Sequence, residues 1–308
     1  MHETTPPIPV PHELAQTLTR FFGAAWTQAL PGLAAHQCDR WGLRPTGAPM
    51  HGAVAMVVPV ERPDGRHAAL KVQPVDAETE GEPAALRAWD GDGAVRLLDH
   101  DPGTGALLLE SLDPSRNLDL LAVDDALKQI GALLARLSSH PAPPGLRDLR
   151  AITLDLVDRA EYLSASRLGP GDQRQRLTGL AAGAREMADE PGDRLLHWDL
   201  HYQNVLAPLP GSERDPWLAI DPKPLSGAPG FDLLPALHNR WAEAEATGDV
   251  RRETRRRFDL LTEVADLERA RARAWTLVRV LQESVWALQD GDTGLPTVPM
   301  AVADAVES

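Results

Sequence analysis

The spacing of hydrophobic positions changes character along the chain. In residues 12 to 40, Leu14, Leu18, Phe21 and Phe22, then Trp26, Leu30 and Leu33, recur every three to four positions. This predicts two short helices, the second interrupted at Pro31 and Gly32, forming a packed N-terminal appendage. From Ala53 the texture is different: AVAMVVPV is apolar and β-branched, ERPDG is a turn, and HAALKV returns as a second strand, which together predict a hairpin. AETEGEPAALRAWD predicts a short helix with Glu82, Leu86 and Trp89 on one face and Pro83 in its first turn. AVRLLDHD and GALLLESL follow as strands around the turn PGTG.

Beyond Asn117 the period becomes that of a helix. Leu127, Ile130, Leu133, Leu134 and Leu137 form a core-facing stripe that ends near His140, where SSHPAPPG breaks it. Residues 152 to 168, 173 to 189, 233 to 247 and 259 to 289 extend the helical half. In the last of these, Leu267, Ala270, Ala274, Leu277, Leu281, Val285 and Leu288 share a face, which makes Trp275 and Trp286 packing residues. The basic run RRETRRRF, 251 to 258, reads as a solvated helix face. No internal repeat is found. The expectation is an α+β chain, strand-rich first and helical afterwards.

Composition narrows the function. With 308 residues, 43% of them hydrophobic, the chain can bury a large core as one domain or two lobes. Its 45 acidic residues exceed 31 basic ones, for a net charge of -14, which disfavours a nucleic-acid footprint or an anionic membrane surface and favours small cationic ligands. The single cysteine, Cys38, cannot form an internal disulfide and reads as a small core hydrophobe. The segment MHETTPPIPVPHEL lacks the basic and apolar regions of a signal peptide, and no apolar run reaches membrane-spanning length, so a cytoplasmic protein is expected.

The chemistry concentrates in LLHWDLHYQNVLA, residues 195 to 207. Val205, Leu206 and Ala207 read as a strand, PLPGSERDP as a turn, and Trp217 to Ile220 as the returning strand. Antiparallel pairing then sets Asn204, entering the first strand, beside Asp221, leaving the second, with Cα atoms roughly 5 Å apart. An amide oxygen and a carboxylate meeting there make half a site for Mg²⁺, which takes oxygen ligands and completes its shell with substrate phosphates. Asp199 lies just upstream, free for another task. Phosphoryl transfer needs this set: a carboxylate that accepts the acceptor's hydroxyl proton, plus an Asn and a second Asp on the metal.

His197-x-Asp199, Asn204 and Asp221 resemble the catalytic and metal motifs of the aminoglycoside phosphotransferases, which are similar to protein kinases. IDPKPLSGAPGFDLLPALHNRW resembles more narrowly the streptomycin 6-kinase and hydroxyurea phosphotransferase branch, and with ERPDGRHAALKV and EPAALRAWDGDGAVRLLDHDPGTGALLLESL the likeness spans residues 20 to 290 or so. It implies a protein-kinase-like two-lobed fold: an appendage over 1–40, a β-rich nucleotide-binding N-lobe over 41–112 and a helical C-lobe over 113–308. The hinge falls at Glu110 to Leu112, against the nucleotide. Lys71 matches the phosphate-pairing lysine and Glu82, preferred to Glu78, its helix partner. Asp199 matches the catalytic residue, and Asn204 and Asp221 the Mg²⁺ ligands, with ATP as donor. His197 is expected to orient the loop, and Asp232 to cap a helix, brace that loop or contact a ligand. The acceptor implied is a cationic aminocyclitol of the streptomycin type, gripped by carboxylates for which Glu283 and Asp290 are candidates. A monomer is expected.

Two departures stand out. TGAPMHGAVAMVV offers only Gly47 and Gly52 where protein kinases carry a Gly-x-Gly-x-x-Gly loop, and Asp221-Pro222-Lys223 replaces Asp-Phe-Gly, which implies constitutive activity. Three rival readings remain. A housekeeping sugar or amino-alcohol kinase would use the same machinery. A metallohydrolase would use the alternating His197, Asp199 and His201 as a metal cluster. A catalytically dead kinase-like binding module would have lost Asp199 or Asp221, and both are present.

Overall fold

The computed structural model describes residues 4–308, which divide into two compact units. The first runs to Asp113 and includes Pro208–Arg214; the second holds Pro114–Ala207 and Asp215–Ser308.

In the first unit two helices, α1 (His12–Phe22) and α2 (Ala24–Trp41), precede a sheet of β1 (Arg44–Pro45), β2 (Met50–His51), β3 (Met56–Glu61), β4 (His67–Val72), β5 (Leu97–His100) and β6 (Leu107–Glu110). The sheet order is β1-β3-β4-β6-β5, with β2 also on β3, and α3 (Glu82–Trp89) lies between β4 and β5 in sequence. Alternation explains the packing of β3: Met56, Val58 and Val60 point inward and are fully buried. Leu14, Leu18, Leu30, Ala34 and Cys38 join them in a single cluster, so both N-terminal helices share the core of the sheet. The expected interruption of α2 does not occur. Pro31 lies inside a continuous helix, and burial of Leu30, Ala34, Ala35 and Cys38 outweighs the missing hydrogen bond.

β7 (Leu112–Asn117) leads into the second unit and joins a three-stranded sheet of order β11-β10-β7, where β10 is Val205–Pro208 and β11 Leu218–Ala219. α4 (Val123–Leu137) follows, buried along the predicted leucine stripe. β8 (Arg147–Asp148) and β9 (Arg194–Leu196) flank β12 (Leu225–Gly227) in a small mixed sheet. α5 (Leu149–Ser166) and α6 (Asp172–Met187) occupy the interval between β8 and β9.

The remaining helices are α7 (Leu234–His238), α8 (Trp241–Ala246), α9 (Val250–Val264), α10 (Arg269–Gln289) and α11 (Thr297–Val306). Two long helices expected from the periodicity are therefore broken. Arg240, at φ 53°, divides 233 to 247, and Asp266, at φ 51°, divides the stretch beginning at 259, after which Glu268 caps α10 through the amides of Ala270 and Arg271. RRETRRRF is helical, but Arg257 and Phe258 are buried, so the run is not a wholly solvated face. Among the described residues, no helix is long and apolar enough to cross a membrane.

One close approach fixes the turn that leads into α7. The 3-10 turn Pro229–Asp232 rests on α10 at Gly230, where an added Cβ would lie 2.7 Å from Ala272 Cα and 3.2 Å from Trp275 Cβ. Gly230→Ala should therefore cost about 1–3 kcal/mol by overpacking. Gly32→Ala, in the interior of α2 with nothing within 4 Å, should be neutral or stabilising by up to about 1 kcal/mol. Urea denaturation of both variants checks the contrast.

Candidate active site

In the first unit, Lys71 on β4 meets Glu82 at the start of α3. The Lys71 ammonium donates to both Glu82 carboxylate oxygens, at 2.7 and 2.8 Å, and Gln73 Nε2 donates to Oε2 at 2.7 Å. Lys71 is 4% exposed and Glu82 not at all. Removing either partner would strand a buried charge, so the pair is rigid in a way a surface salt bridge is not. Glu78, the alternative partner, lies on the turn before α3, half-buried, where its amide donates to Asp76. The carboxylate of Glu110 is engaged locally, accepting from the Arg96 amide at 2.8 Å and the Arg214 guanidinium at 3.1 Å. Its own amide donates to the Arg96 carbonyl, and Leu112 is buried at the start of β7.

The second unit carries the HWDLHYQN segment on a loop after β9. Asp232, 2% exposed, accepts from the amides of His197 and Trp198 at 2.9 and 3.0 Å. Between those bonds Trp198 adopts φ 67°, a left-handed conformation costly for a bulky residue. Its ring supplies the compensation. It lies between the guanidinium groups of Arg147, 4.4 Å from the ring centroid, and Arg279, 4.7 Å away, and meets Trp286 edge-on at 5.8 Å.

This kink delivers His197 and Asp199 to opposite duties. His197 is buried, and burial pushes its imidazole down to about 3, so the ring is neutral. Its Nε2 lies 3.0 Å from the Ile220 carbonyl and its Nδ1 accepts from the Asp199 amide at 3.3 Å, which fixes the tautomer with the proton on Nε2. Both ring nitrogens are engaged, and among the described residues no group of three His, Cys, Asp or Glu side chains is arranged to hold a metal. The hydrolase reading through His197, Asp199 and His201 therefore fails on geometry; His201 Nε2 stands 4.0 Å from Asp199.

Asp199 is held by Asn204, whose Nδ2 donates to the Asp199 carbonyl at 2.9 Å and to its Oδ2 at 3.3 Å. Desolvation raises the Asp199 carboxyl above the ordinary aspartate value, opposed by His201 and Lys223. The expected hairpin forms, but its register differs by one residue. Val205 pairs with Ala219, so the Asn204 carbonyl accepts from the Ile220 amide, and Asp221 lies one position past the ladder at φ 57°. β11 itself stops at Ala219, and the left-handed turn follows two residues later. Asp221 Oδ2 accepts from the Lys223 ammonium at 2.9 Å.

Residues 40–291 match the family described as aminoglycoside/hydroxyurea antibiotic resistance kinase. The chain belongs to this family. It is 50% identical to the streptomycin 6-kinase of Streptomyces griseus over 97% of each chain. It is 49% identical to the hydroxyurea phosphotransferase of Kitasatospora aureofaciens, over 97% of this chain and 86% of that one. A solved macrolide 2'-phosphotransferase from Brachybacterium faecium shares the fold, with a TM-score of 0.55 at 16% identity, covering 91% of this chain and 98% of that one. The α+β fold is thus that of the protein-kinase-like phosphotransferases, and the chain is a phosphotransferase acting on a hydroxyl group.

Three contributors escaped the sequence reading. Trp198 gave no sign of its left-handed backbone, and Arg279 sat unnoticed on a helix face. Lys223 carried a faint signal as one of only three lysines among 31 basic residues. Asp232 was open between cap and brace, and its hydrogen bonds make it the brace.

Replacing Asp232 by Asn would turn one acceptor oxygen into a donor facing an amide N–H. The expected cost is about 1–3 kcal/mol of stability, with a fall in kcat larger than any change in nucleotide affinity. Thermal unfolding and steady-state kinetics on one preparation check this.

Proposed function

We propose that the protein transfers the γ-phosphoryl group of ATP to a hydroxyl of a cationic aminocyclitol of the streptomycin type, using Asp199, Asn204, Asp221, Lys71 and Glu82. The observation that carries this reading is the Asn204 amide bridging to Asp199. With Nδ2 committed there, Oδ1 is the atom of Asn204 left for a metal, alongside the carboxylate of Asp221. One carboxylate and one amide oxygen fit Mg²⁺, which draws its other ligands from phosphate and water. Bound there, Mg²⁺ would neutralise charge on the phosphate oxygens.

The chain's own groups do the rest. Lys71, oriented by Glu82, pairs with the α and β phosphates as a point charge. Glu110 to Leu112 faces the adenine through the backbone, since the Glu110 side chain is spoken for. Asp199 accepts the acceptor's proton as its oxygen attacks phosphorus, and the raised carboxyl makes it a better base than an ordinary aspartate. His197 holds the Asp199 backbone and transfers no proton.

Acceptor charge is read at Glu283. On α10 it lies 3.4 Å from Arg279, and its carboxyl is raised by burial, lowered by Arg279 and raised again by the nearby charge of Asp199. A half-buried carboxylate this near Asp199 suits a guanidinium group of the acceptor. Asp290, at the exposed C-terminal end of the same helix, supports a weaker, more screened role. The relatives favour an antibiotic acceptor over a housekeeping sugar or amino alcohol, and streptomycin and hydroxyurea are the two acceptors to compare directly.

Asp199→Asn should lower kcat by about 10²–10⁴-fold while calorimetry with a non-hydrolysable ATP analogue still shows binding within a few-fold of wild type. In the wild type, Asp199 works ionised, so kcat/KM should fall on acidification with an apparent pKa above 3.8. Collapse of nucleotide binding along with turnover would remove Asp199 from this role.

The acceptor reading makes a separate forecast. KM for streptomycin should rise with ionic strength, because salt screens charge attraction over about 8–10 Å. Glu283→Gln should raise KM about tenfold or more through loss of a charge-assisted hydrogen bond, with little effect on ATP. Faster turnover of neutral hexoses, with KM insensitive to salt, would transfer the enzyme to sugar metabolism.

A further inference from the structure

The second unit holds a cation to which the assignments above give no task. Lys223 follows Asp221 by two residues, and its ammonium lies 2.9 Å from Asp221 Oδ2 and 3.4 Å from the Asp221 carbonyl. Its backbone is pinned on both sides. The amide donates to the His197 carbonyl at 3.0 Å, and the carbonyl accepts from the Arg147 guanidinium at 3.1 Å. The side chain is 13% exposed, so the ammonium is aimed into the loop cluster instead of solvent. It is close enough to Asp199 to help lower that carboxyl.

Composition adds an independent argument. Lysine is rare in this chain: Lys128 makes an exposed pair with Asp125 on α4, while Lys71 and Lys223 are each sequestered against a carboxylate of the assigned machinery. Arginine, used nearly everywhere else, grips one carboxylate in a fixed bidentate fork. Lysine is a compact charge with three rotatable donors on a flexible stem, suited to a position where the anionic partner changes during the reaction.

We propose that Lys223 is a catalytic residue, its ammonium occupying Asp221 before nucleotide binds and turning to the oxygens of the transferring phosphoryl group once Asp221 is taken by the metal. This deepens the phosphotransferase reading and rests on its assignment of Asp221. Electrostatics drives the exchange: Lys223 and a divalent cation compete for one carboxylate, and the displaced ammonium finds the phosphate charge beside it. In the transfer, the acceptor oxygen bonds to phosphorus as the bond from phosphorus to the bridging oxygen of ADP breaks. The electron pair leaves with ADP, the acceptor proton passes to Asp199, and Lys223 stays protonated throughout while it offsets charge on the equatorial oxygens.

The test compares Lys223→Met with wild type by calorimetry, using ADP and a non-hydrolysable triphosphate analogue over a range of Mg²⁺ concentrations, and by kcat. The Met variant should lose about tenfold or more in triphosphate affinity with ADP affinity within about twofold. Its half-saturating Mg²⁺ for ADP binding should fall, since no ammonium must be displaced, and kcat should drop about 10²–10³-fold. Lys223→Gln keeps a donor to Asp221 without the charge and carries the same contrast if the Met variant is unstable. Equal losses for both nucleotides, or a higher Mg²⁺ requirement, would make Lys223 a structural partner of Asp221 and overturn the proposal. Wild-type protein that binds neither nucleotide would instead overturn the phosphotransferase assignments on which it rests.

Discussion

Two hydrogen bonds to one buried carboxylate organise the His197–Asn204 loop. Asp232 takes the amides of His197 and Trp198, and between those bonds the backbone bends into the left-handed region at a tryptophan. A non-glycine residue stays there only when its surroundings over-determine it. Here the surroundings are the amide bonds on one side and the stack of Arg147, Trp198, Arg279 and Trp286 on the other. Burial pushes the Asp232 carboxyl up to about 7, opposed by the two amides and by Arg279, so the brace sits where its environment only just tolerates charge. That tension is local, and the packing of the Pro229–Asp232 turn on α10 contains it.

The carboxylates of the second unit form a graded series set by environment. Asp232 is deepest and serves structure. Asp199 is raised by desolvation, opposed by His201 and Lys223. Asp221 accepts from an ammonium, and Glu283 is half-buried beside Arg279. One buried guanidinium, that of Arg279, acts on Asp199, Asp232 and Glu283 alike. Differing burial, together with the cations of Arg279 and Lys223, lets these carboxylates differ in proton affinity within a small volume. Lys71 and Glu82 follow another logic in the first unit, where the ion pair is buried and Gln73 also donates to Glu82.

Much of this was legible from local patterns. The partnership of Lys71 with Glu82 was implied by the family resemblance, and Glu82 was preferred to Glu78 because it opens an apolar helical stripe; the structure pairs the two. The hairpin after Asn204 was legible because its strands are apolar and its turn is rich in Pro and Gly. Its register was not, because register depends on where the ladder stops, and a left-handed Asp221 after a 3-10 turn at Tyr202–Asn204 is invisible to a period-two pattern. Helix ends at Arg240 and Asp266 escaped similarly: both are polar residues within long periodic stretches, and their left-handed backbone is settled by packing on either side.

The sequence by itself determined the order of strands and helices and the family likeness, the first because it follows from periodicity and the second because the motif residues lie close together along the chain. Only the tertiary structure decided that α2 runs through Pro31, that His197 is neutral with both nitrogens engaged, that Asp232 braces the loop, and that Lys223 and Arg279 stand among the carboxylates. These outcomes depend on burial and on contacts between residues tens of positions apart. Desolvation and long-range pairing are properties of an assembled environment, which no local spacing encodes.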